Sequence, residues 1–203
     1  DLCLVRIMRF FHRKAKAQVP DGLFIKCEGC DKTVYRKVVE EKLHVCPECG
    51  HHFRIGSRER IAYHLDEGSF DEVSGDLESC DPLGFVAEKA YQDQLEGDKK
   101  RTGMKEAAIV GRATIEGRPV AFGVLDFAFR GASMGSVVGE KITRLAELAV
   151  KEHRPLITVA ASGGARMQES VLSLMQMAKT CAALTRLRAA GLPYISVMTH
   201  PTT

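Results

Sequence analysis

Two sets of residues have the types and the spacing to do chemistry. The first is Cys27-x2-Cys30, followed fifteen residues later by Cys46-x2-Cys49. Two close cysteine pairs with a loop of this length between them form the pattern of a tetrathiolate zinc site. Each pair supplies two sulfurs from a tight knuckle, and the sulfurs sit about 2.3 Å from the metal. Four thiolates close the shell, so the expected role of the ion is structural, with one zinc per chain. His51 and His52 follow directly, but they find no open coordination position and read as surface or packing residues. The second set is Ala161-Ser162-Gly163-Gly164-Ala165-Arg166-Met167-Gln168-Glu169. A strand-like run, Leu156 to Ala160, empties into it, and a helical pattern leaves from near Gln168. Glycines let the backbone turn sharply and let a ligand approach without a Cβ in the way. The first N–H groups of a helix have no internal acceptor and lie at the positive end of its dipole. The chemistry this allows is stabilisation of an oxyanion by main-chain amides, and the alternative is a tight turn that binds nothing.

The elements that must position these residues follow from composition and periodicity. The chain has 203 residues, 45% hydrophobic and 27% charged, which is enough for one sizeable core or a moderate core plus a small module. A net charge of +3 argues for neither a nucleic-acid nor a membrane partner. No apolar run reaches the length of a membrane span. The start, Asp1 to Phe11, is apolar and basic without a small-residue cleavage site, so a secretory signal is not expected. Four organisational blocks are expected: an N-terminal arm over 1–22, a zinc ribbon over 23–56, a helical and charged connector over 57–106, and an α/β core over 107–203. In the ribbon, Thr33-Val34-Tyr35 and His44-Val45 read as short strands. Ser57 is expected to cap a helix that carries Ile61 and Leu65 on one face and stops at Gly68. A surface helix is expected from about Leu83 to Leu95, followed by the basic run Lys99-Lys100-Arg101, which reads as a solvated loop or a contact for an anionic ligand.

From Ala107 the pattern becomes β-β-α-β-α-β. Ala108 to Ile115 and Pro119 to Phe127 are apolar and joined by a turn at Glu116-Gly117-Arg118. A helix from Ser136 to His153 has an apolar face of Val138, Ile142, Leu145, Ala146 and Ala149. A second helix, about Gln168 to Ala190, is expected to bury Val171, Met175, Ala178 and Ala182 and to stop at Gly191. A last strand runs from Tyr194 to Met198. Helices that join successive strands in this way point to an α/β architecture.

Three stretches stand together: the four-cysteine ribbon, Phe129-Arg130-Gly131-Ala132-Ser133-Met134-Gly135-Ser136-Val137-Val138-Gly139, and Ser162-Gly163-Gly164-Ala165-Arg166-Met167-Gln168-Glu169. A fourth joins Gly191-Leu192-Pro193-Tyr194-Ile195-Ser196-Val197 to Pro201-Thr202-Thr203. From about Pro20 to Thr203 they closely resemble the β subunit of the bacterial and plastid acetyl-CoA carboxylase carboxyltransferase. The resemblance implies a crotonase-like fold of repeated β-β-α turns behind the ribbon. It implies transfer of a carboxyl group from carboxybiotin, borne on a separate protein, to acetyl-CoA, giving malonyl-CoA and committing fatty-acid synthesis. In that chemistry carboxybiotin releases CO2, the biotin ureido anion takes the proton, and the enzyme supplies position and oxyanion donors.

On this resemblance Gly163, Gly164 and Ala165 are expected as backbone donors. Gly131, Ala132, Ser133, Met134 and Gly135 are expected along the acyl-CoA path, where small side chains leave room for the pantetheine arm. Arg166 is expected either near CoA phosphate or in an ion pair, for instance to Glu169, that fixes the turn. Expected partners are the carboxyltransferase α subunit in an α2β2 assembly, the biotin carboxyl carrier protein and biotin carboxylase, in a bacterial cytoplasm or a plastid stroma. The family continues after Pro-Thr-Thr with a Gly-Gly that supplies further oxyanion donors. The chain ends at Thr203, so the 203 residues are expected to be a fragment and inactive alone. A zinc-ribbon nucleic-acid-binding protein is the alternative of a different class, and another crotonase-like acyl-CoA enzyme, such as a hydratase, is a third. The interleaved Glu28, Asp31, Glu40, Glu41 and Glu48 weigh against the former, and the ribbon against the latter. Cys3, Cys80 and Cys181 carry no assigned role.

Overall fold

The computed structural model describes residues 22–202, and the expected N-terminal arm with Cys3 lies outside them. The chain forms two compact units, divided between Arg54 and Ile55. In the first, β1 (Phe24–Lys26) pairs antiparallel with β2 (Thr33–Tyr35). His44-Val45 does not form a strand of that sheet; Val45 makes a single bridge to His52, and α1 (Arg36–Glu41) fills the loop between the knuckles. The core of this unit is Cys27, Val34, Val39 and Cys46, with Ile25 and Phe53 packed on it.

The second unit is built on a five-stranded sheet of order β3-β4-β5-β6-β7. It contains α2 (Ser57–His64), β3 (Asp71–Val73), α3 (Tyr91–Thr102), β4 (Ala108–Ile115), β5 (Arg118–Leu125), α4 (Ser136–Lys151), β6 (Leu156–Ser162), α5 (Val171–Ala189) and β7 (Tyr194–Thr202). The pairs β3–β4 and β4–β5 are antiparallel, while β5–β6 and β6–β7 are parallel, with α4 and α5 as the two crossovers. The β4–β5 turn has Glu116 at φ 52° and Gly117 at φ 74°, the two left-handed residues that match strand twist in a two-residue hairpin. The Asp66 carboxylate accepts both turn amides, at 2.9 and 2.8 Å. One sheet face packs Ala121 and Leu156 against Leu145, Ala146 and Ala149 of α4 and Ala183 and Leu187 of α5. The other packs Phe122, Val124 and Val159 against Leu65 and Ile61.

The structure corrects three sequence expectations. Ser57 does not cap α2 with its own side chain. It is the first helical residue, and both its amide and its hydroxyl donate to Asp126, at 2.7 and 2.6 Å; the helix ends at His64, before Gly68. The connector helix runs over Tyr91–Thr102, not 83–95. Asp81 Oδ1 accepts from the amides of Leu83 and Phe85, each at 3.2 Å, and holds that stretch as a turn. Tyr91 and Leu95, one helical turn apart, are both fully buried and anchor α3 beside Phe129, Ala132 and Val138, so the connector packs as part of the second unit. Finally, Val171, Met175, Ala178 and Ala182 are exposed, and α5 buries Ser173, Gln176, Thr180, Ala183 and Leu187 instead.

Candidate active site and metal centre

The four ribbon sulfurs all lie within 4.8 Å of one another, with Cys27 Sγ to Cys49 Sγ at 3.7 Å and Cys30 Sγ to Cys46 Sγ at 4.0 Å. A tetrahedron with metal–sulfur bonds of about 2.3 Å has sulfur–sulfur edges of about 3.8 Å, so the spacing fits zinc. The thiols also titrate as a donor set that wants a cation. Burial works to raise Cys46, but the amides of Glu48 and Cys49 outweigh it and hold the thiol at about 7. For Cys49 the His51 amide pulls down, and burial with the three neighbouring thiols pushes it up to about 12. Four adjacent sulfurs do not all shed their protons without a positive ion between them.

In the second unit the two glycine-bearing stretches are zipped together. The Gly163 amide donates to Gly131 O at 2.8 Å, the Met134 amide to Gly164 O at 2.8 Å, and the Arg166 amide to Met134 O at 2.9 Å. This is a short parallel bridge between Met134 and Ala165. The first stretch reaches it through a left-handed turn: Arg130, Gly131 and Ala132 have φ of 47°, 61° and 48°. That conformation is costly for the two non-glycine residues. Arg130 is pinned by its side chain to Asp98 at 2.5 Å and to Gln94 at 2.6 Å, both on α3. The second stretch turns through Gly164 at φ 103°.

The three expected donors separate in this geometry. The Gly163 amide is taken by Gly131 O, and the Gly164 amide by Ser162 Oγ at 3.0 Å. Ala165 is exposed, and among the described residues no acceptor meets its amide. The expected helix start at Gln168 is displaced as well. Met167–Glu169 is one 3-10 turn, Ser170 breaks the chain direction at φ 49° and ψ −128°, and α5 begins at Val171. The helix N-terminus that does face this junction belongs to α4, and it is already occupied: the Ser136 amide donates to Glu169 Oε2 at 2.5 Å.

Five residues were expected along the acyl-CoA path. Gly131, Ser133 and Met134 are partly accessible, whereas Ala132 and Gly135 are buried. A Cβ on Gly135 would stand 2.5 Å from Glu169 Oε1 and 3.0 Å from Arg166 Cζ, so that glycine makes room for side chains beneath the loop rather than for a ligand.

Arg166 takes the second of its two expected roles. Its side chain is fully buried and forms a fork with Glu106, NH1 to Oε2 at 2.9 Å and NH2 to Oε1 at 2.6 Å. It also donates to Ser133 O, Ser133 Oγ, Ser79 Oγ and the Tyr91 hydroxyl, and it reaches Glu169 at 3.4 Å. Tyr91 in turn donates to Glu169 Oε1 at 2.8 Å, and Glu106 accepts from Ser79 Oγ and the Ala107 amide. Burial opposes the charge on both members of the Arg166–Glu106 pair, and their mutual attraction outweighs it. The guanidinium is held above its ordinary value and the Glu106 carboxyl below the usual range. Burial also raises the Tyr91 hydroxyl, so it stays protonated and donates. Sequence reasoning missed Ser79, Tyr91 and Glu106. The available signal was a tyrosine opening an otherwise charged helix and a lone glutamate set against an apolar strand.

Residues 54–203 match the Carboxyl transferase domain family, and residues 24–49 match the Acetyl-CoA carboxylase zinc finger domain. The subunit β of acetyl-coenzyme A carboxylase carboxyl transferase from Citrifermentans bemidjiense is 54% identical over 93% of this chain, which spans 67% of that relative. Its counterpart from Synechococcus elongatus is 50% identical over 95% of this chain, which spans 63% of it. Among solved structures, transcarboxylase 12S with methylmalonyl-coenzyme A bound is 30% identical, with a TM-score of 0.59 over 72% of this chain and 26% of its own. The Pseudomonas malonate decarboxylase MdcD–MdcE hetero-dimer is 25% identical, with a TM-score of 0.54 over 73% of this chain and 54% of its own. The second unit therefore has the crotonase-like carboxyl transferase fold, and the ribbon ahead of it is of the acetyl-CoA carboxylase type. With both halves matched in order along one polypeptide, the chain belongs to the family of acetyl-CoA carboxylase carboxyl transferase β subunits.

Proposed function

We propose that this chain serves the acyl-CoA side of a carboxyl transfer from carboxybiotin to acetyl-CoA, giving malonyl-CoA for fatty-acid synthesis. Carboxybiotin, delivered on a separate carrier protein, supplies the carboxyl group and the base that takes the acetyl proton. This chain's own contribution is position and charge. Loss of a proton beside a thioester carbonyl puts negative charge on its oxygen, and a preorganised amide aimed at that oxygen is worth about 3 kcal/mol. The observation that carries this reading is the amide of the exposed residue Ala165, without an acceptor among the described residues, at the junction of the two zipped stretches. Gly131, Ser133 and Met134 border the acyl thioester, Gly163 and Gly164 hold the turn, and Arg166 positions both loops from below. The methylmalonyl-coenzyme A bound to transcarboxylase 12S supports an acyl-CoA ligand. The reading includes an α subunit in an α2β2 assembly, the biotin carboxyl carrier protein, biotin carboxylase, one structural zinc, and a bacterial cytoplasm or plastid stroma.

The test is malonyl-CoA-dependent carboxylation of biotin by the full-length subunit paired with its α subunit. Ala165→Pro removes the amide hydrogen and is expected to lower kcat by about 10²–10³. Ala165→Gly, which keeps that hydrogen, should stay near the parent, with thermal unfolding unchanged in both. Full turnover by the proline variant would sink the oxyanion assignment. No turnover by the parent pair would remove the carboxyl-transfer reading itself.

A further inference from the structure

A cavity of about 170 Å³ lies on the antiparallel side of the sheet, between α2, β3, the start of β4 and α4. Its lining includes three cations from three elements: Arg58 on α2, Lys105 ahead of β4, and Lys141 on α4. Lys141 is 2% exposed. Its ammonium donates to Ala108 O at 3.0 Å, which leaves two of its three N–H groups without a protein partner. Among the described residues no carboxylate lies within 4.0 Å of Arg58, Lys105 or Lys141, although most charged side chains around them are paired. Two acids line the cavity. Glu106 has both oxygens engaged by Arg166, Ser79 and the Ala107 amide, which leaves Glu72 in the lining, with Asp76 nearby, to balance three positive charges.

A buried ammonium is costly unless something anionic compensates it. Burial draws the Lys141 ammonium below its ordinary value, and Glu72, Glu106 and Asp76 only partly oppose this. The site is concave; at Gly103 its wall is open, whereas the Glu72 carboxylate lies over Gly75. Donors converging from three directions suit a ligand with more than two oxygens and more than one charge.

We propose that this cavity is a binding site for a phosphate-type oxyanion, held by Lys141 from within and by Arg58 and Lys105 at its mouth. The phosphate has two possible sources, the phosphates of a CoA ligand or free phosphate. The first rests on the acyl-CoA reading above, and the oxyanion site itself does not.

The test is calorimetric titration of the full chain with inorganic phosphate and, separately, with CoA. Arg58→Ala combined with Lys105→Ala removes two exposed cations, so the fold and its unfolding temperature are retained. This pair should weaken phosphate binding about tenfold or more, as expected for loss of charge-assisted bonds. A control pair, Lys100→Ala with Arg118→Ala, lowers the net charge equally and should change binding less than about twofold. Equal weakening of CoA assigns the phosphate to CoA, and unchanged CoA binding assigns it to free phosphate. Absence of saturable phosphate binding by the parent, or equal loss in the control pair, overturns the proposal. Carboxyl transfer by the Ala165 variants reads the catalytic assignment separately.

Discussion

At the scale of single residues, the buried group around Arg166 decides how firmly the two loops are held. Glu106 and Arg166 are each at 0% side-chain exposure, and their fork is the shortest link between the connector and the 163–169 turn. Removing one partner of a buried pair strands the other, at a cost of about 3–5 kcal/mol. Glu106→Gln is therefore expected to lower unfolding free energy by an amount in that range, measured by urea titration. The pH dependence has a definite sign. The folded Glu106 carboxyl is held below its ordinary value, because Arg166 outweighs burial. Its stabilisation is thus complete above the unfolded carboxylate pKa of about 4.3 and is lost as pH falls through the lower folded value. The parent should lose stability more steeply below about pH 4 than the Glu106→Gln variant does. Tyr91→Phe removes the donor that Glu169 accepts at 2.8 Å. It leaves a buried oxygen short of one bond, with an expected loss of about 1–3 kcal/mol.

At the scale of elements, the strands and crossovers were legible because apolar period and turn chemistry agreed. Glu116-Gly117 gave the hairpin, and Val138, Leu145, Ala146 and Ala149 gave the buried face of α4. The rotation of α5 was not legible. Its most apolar stripe lies outside, because two polar contacts fix its first turn: Ser173 Oγ accepts the Arg166 amide at 2.8 Å and donates to Met134 O. The buried Gln176 and Thr180 then bond to carbonyls of their own helix. Hydrophobic pattern alone gives no weight to such contacts. The candidate site was legible as two glycine stretches, but not as a choice among donors, which depends on a pairing between residues about thirty positions apart. Two outcomes test the observed rotation. Met175→Gln, at an exposed position, should change stability by less than about 0.5 kcal/mol. Leu187→Ala, at a position 1% exposed, should cost about 2–5 kcal/mol. Gly135→Ala probes the junction of α4 with the buried group. Its new methyl would press on Glu169 and Arg166, and overpacking of that kind costs about 1–3 kcal/mol, read by thermal unfolding.

At the scale of the whole molecule, the two units draw their stability from different sources. The 55–203 unit has three apolar clusters spread over both faces of its sheet and along α3. The ribbon has one small cluster, and two of its four buried members are the cysteines Cys27 and Cys46. So small a core cannot offset the entropy of ordering its backbone, and metal binding, worth about 10–16 kcal/mol in zinc-finger peptides, must supply the difference. The purified chain should carry one zinc. Titration with a strong chelator should release it and abolish the amide dispersion of residues 24–53 in an NMR spectrum. The signals of β4 to β7 should keep their positions, and the unfolding temperature of the 55–203 unit should remain within a few degrees. Cys49→Ser should imitate the chelator, because three sulfurs leave the tetrahedron open. Collapse of both units on losing the ion would mean that the sheet, too, depends on the ribbon. Retention of ribbon dispersion without metal would show that its apolar contacts suffice, against the reasoning from its four buried side chains.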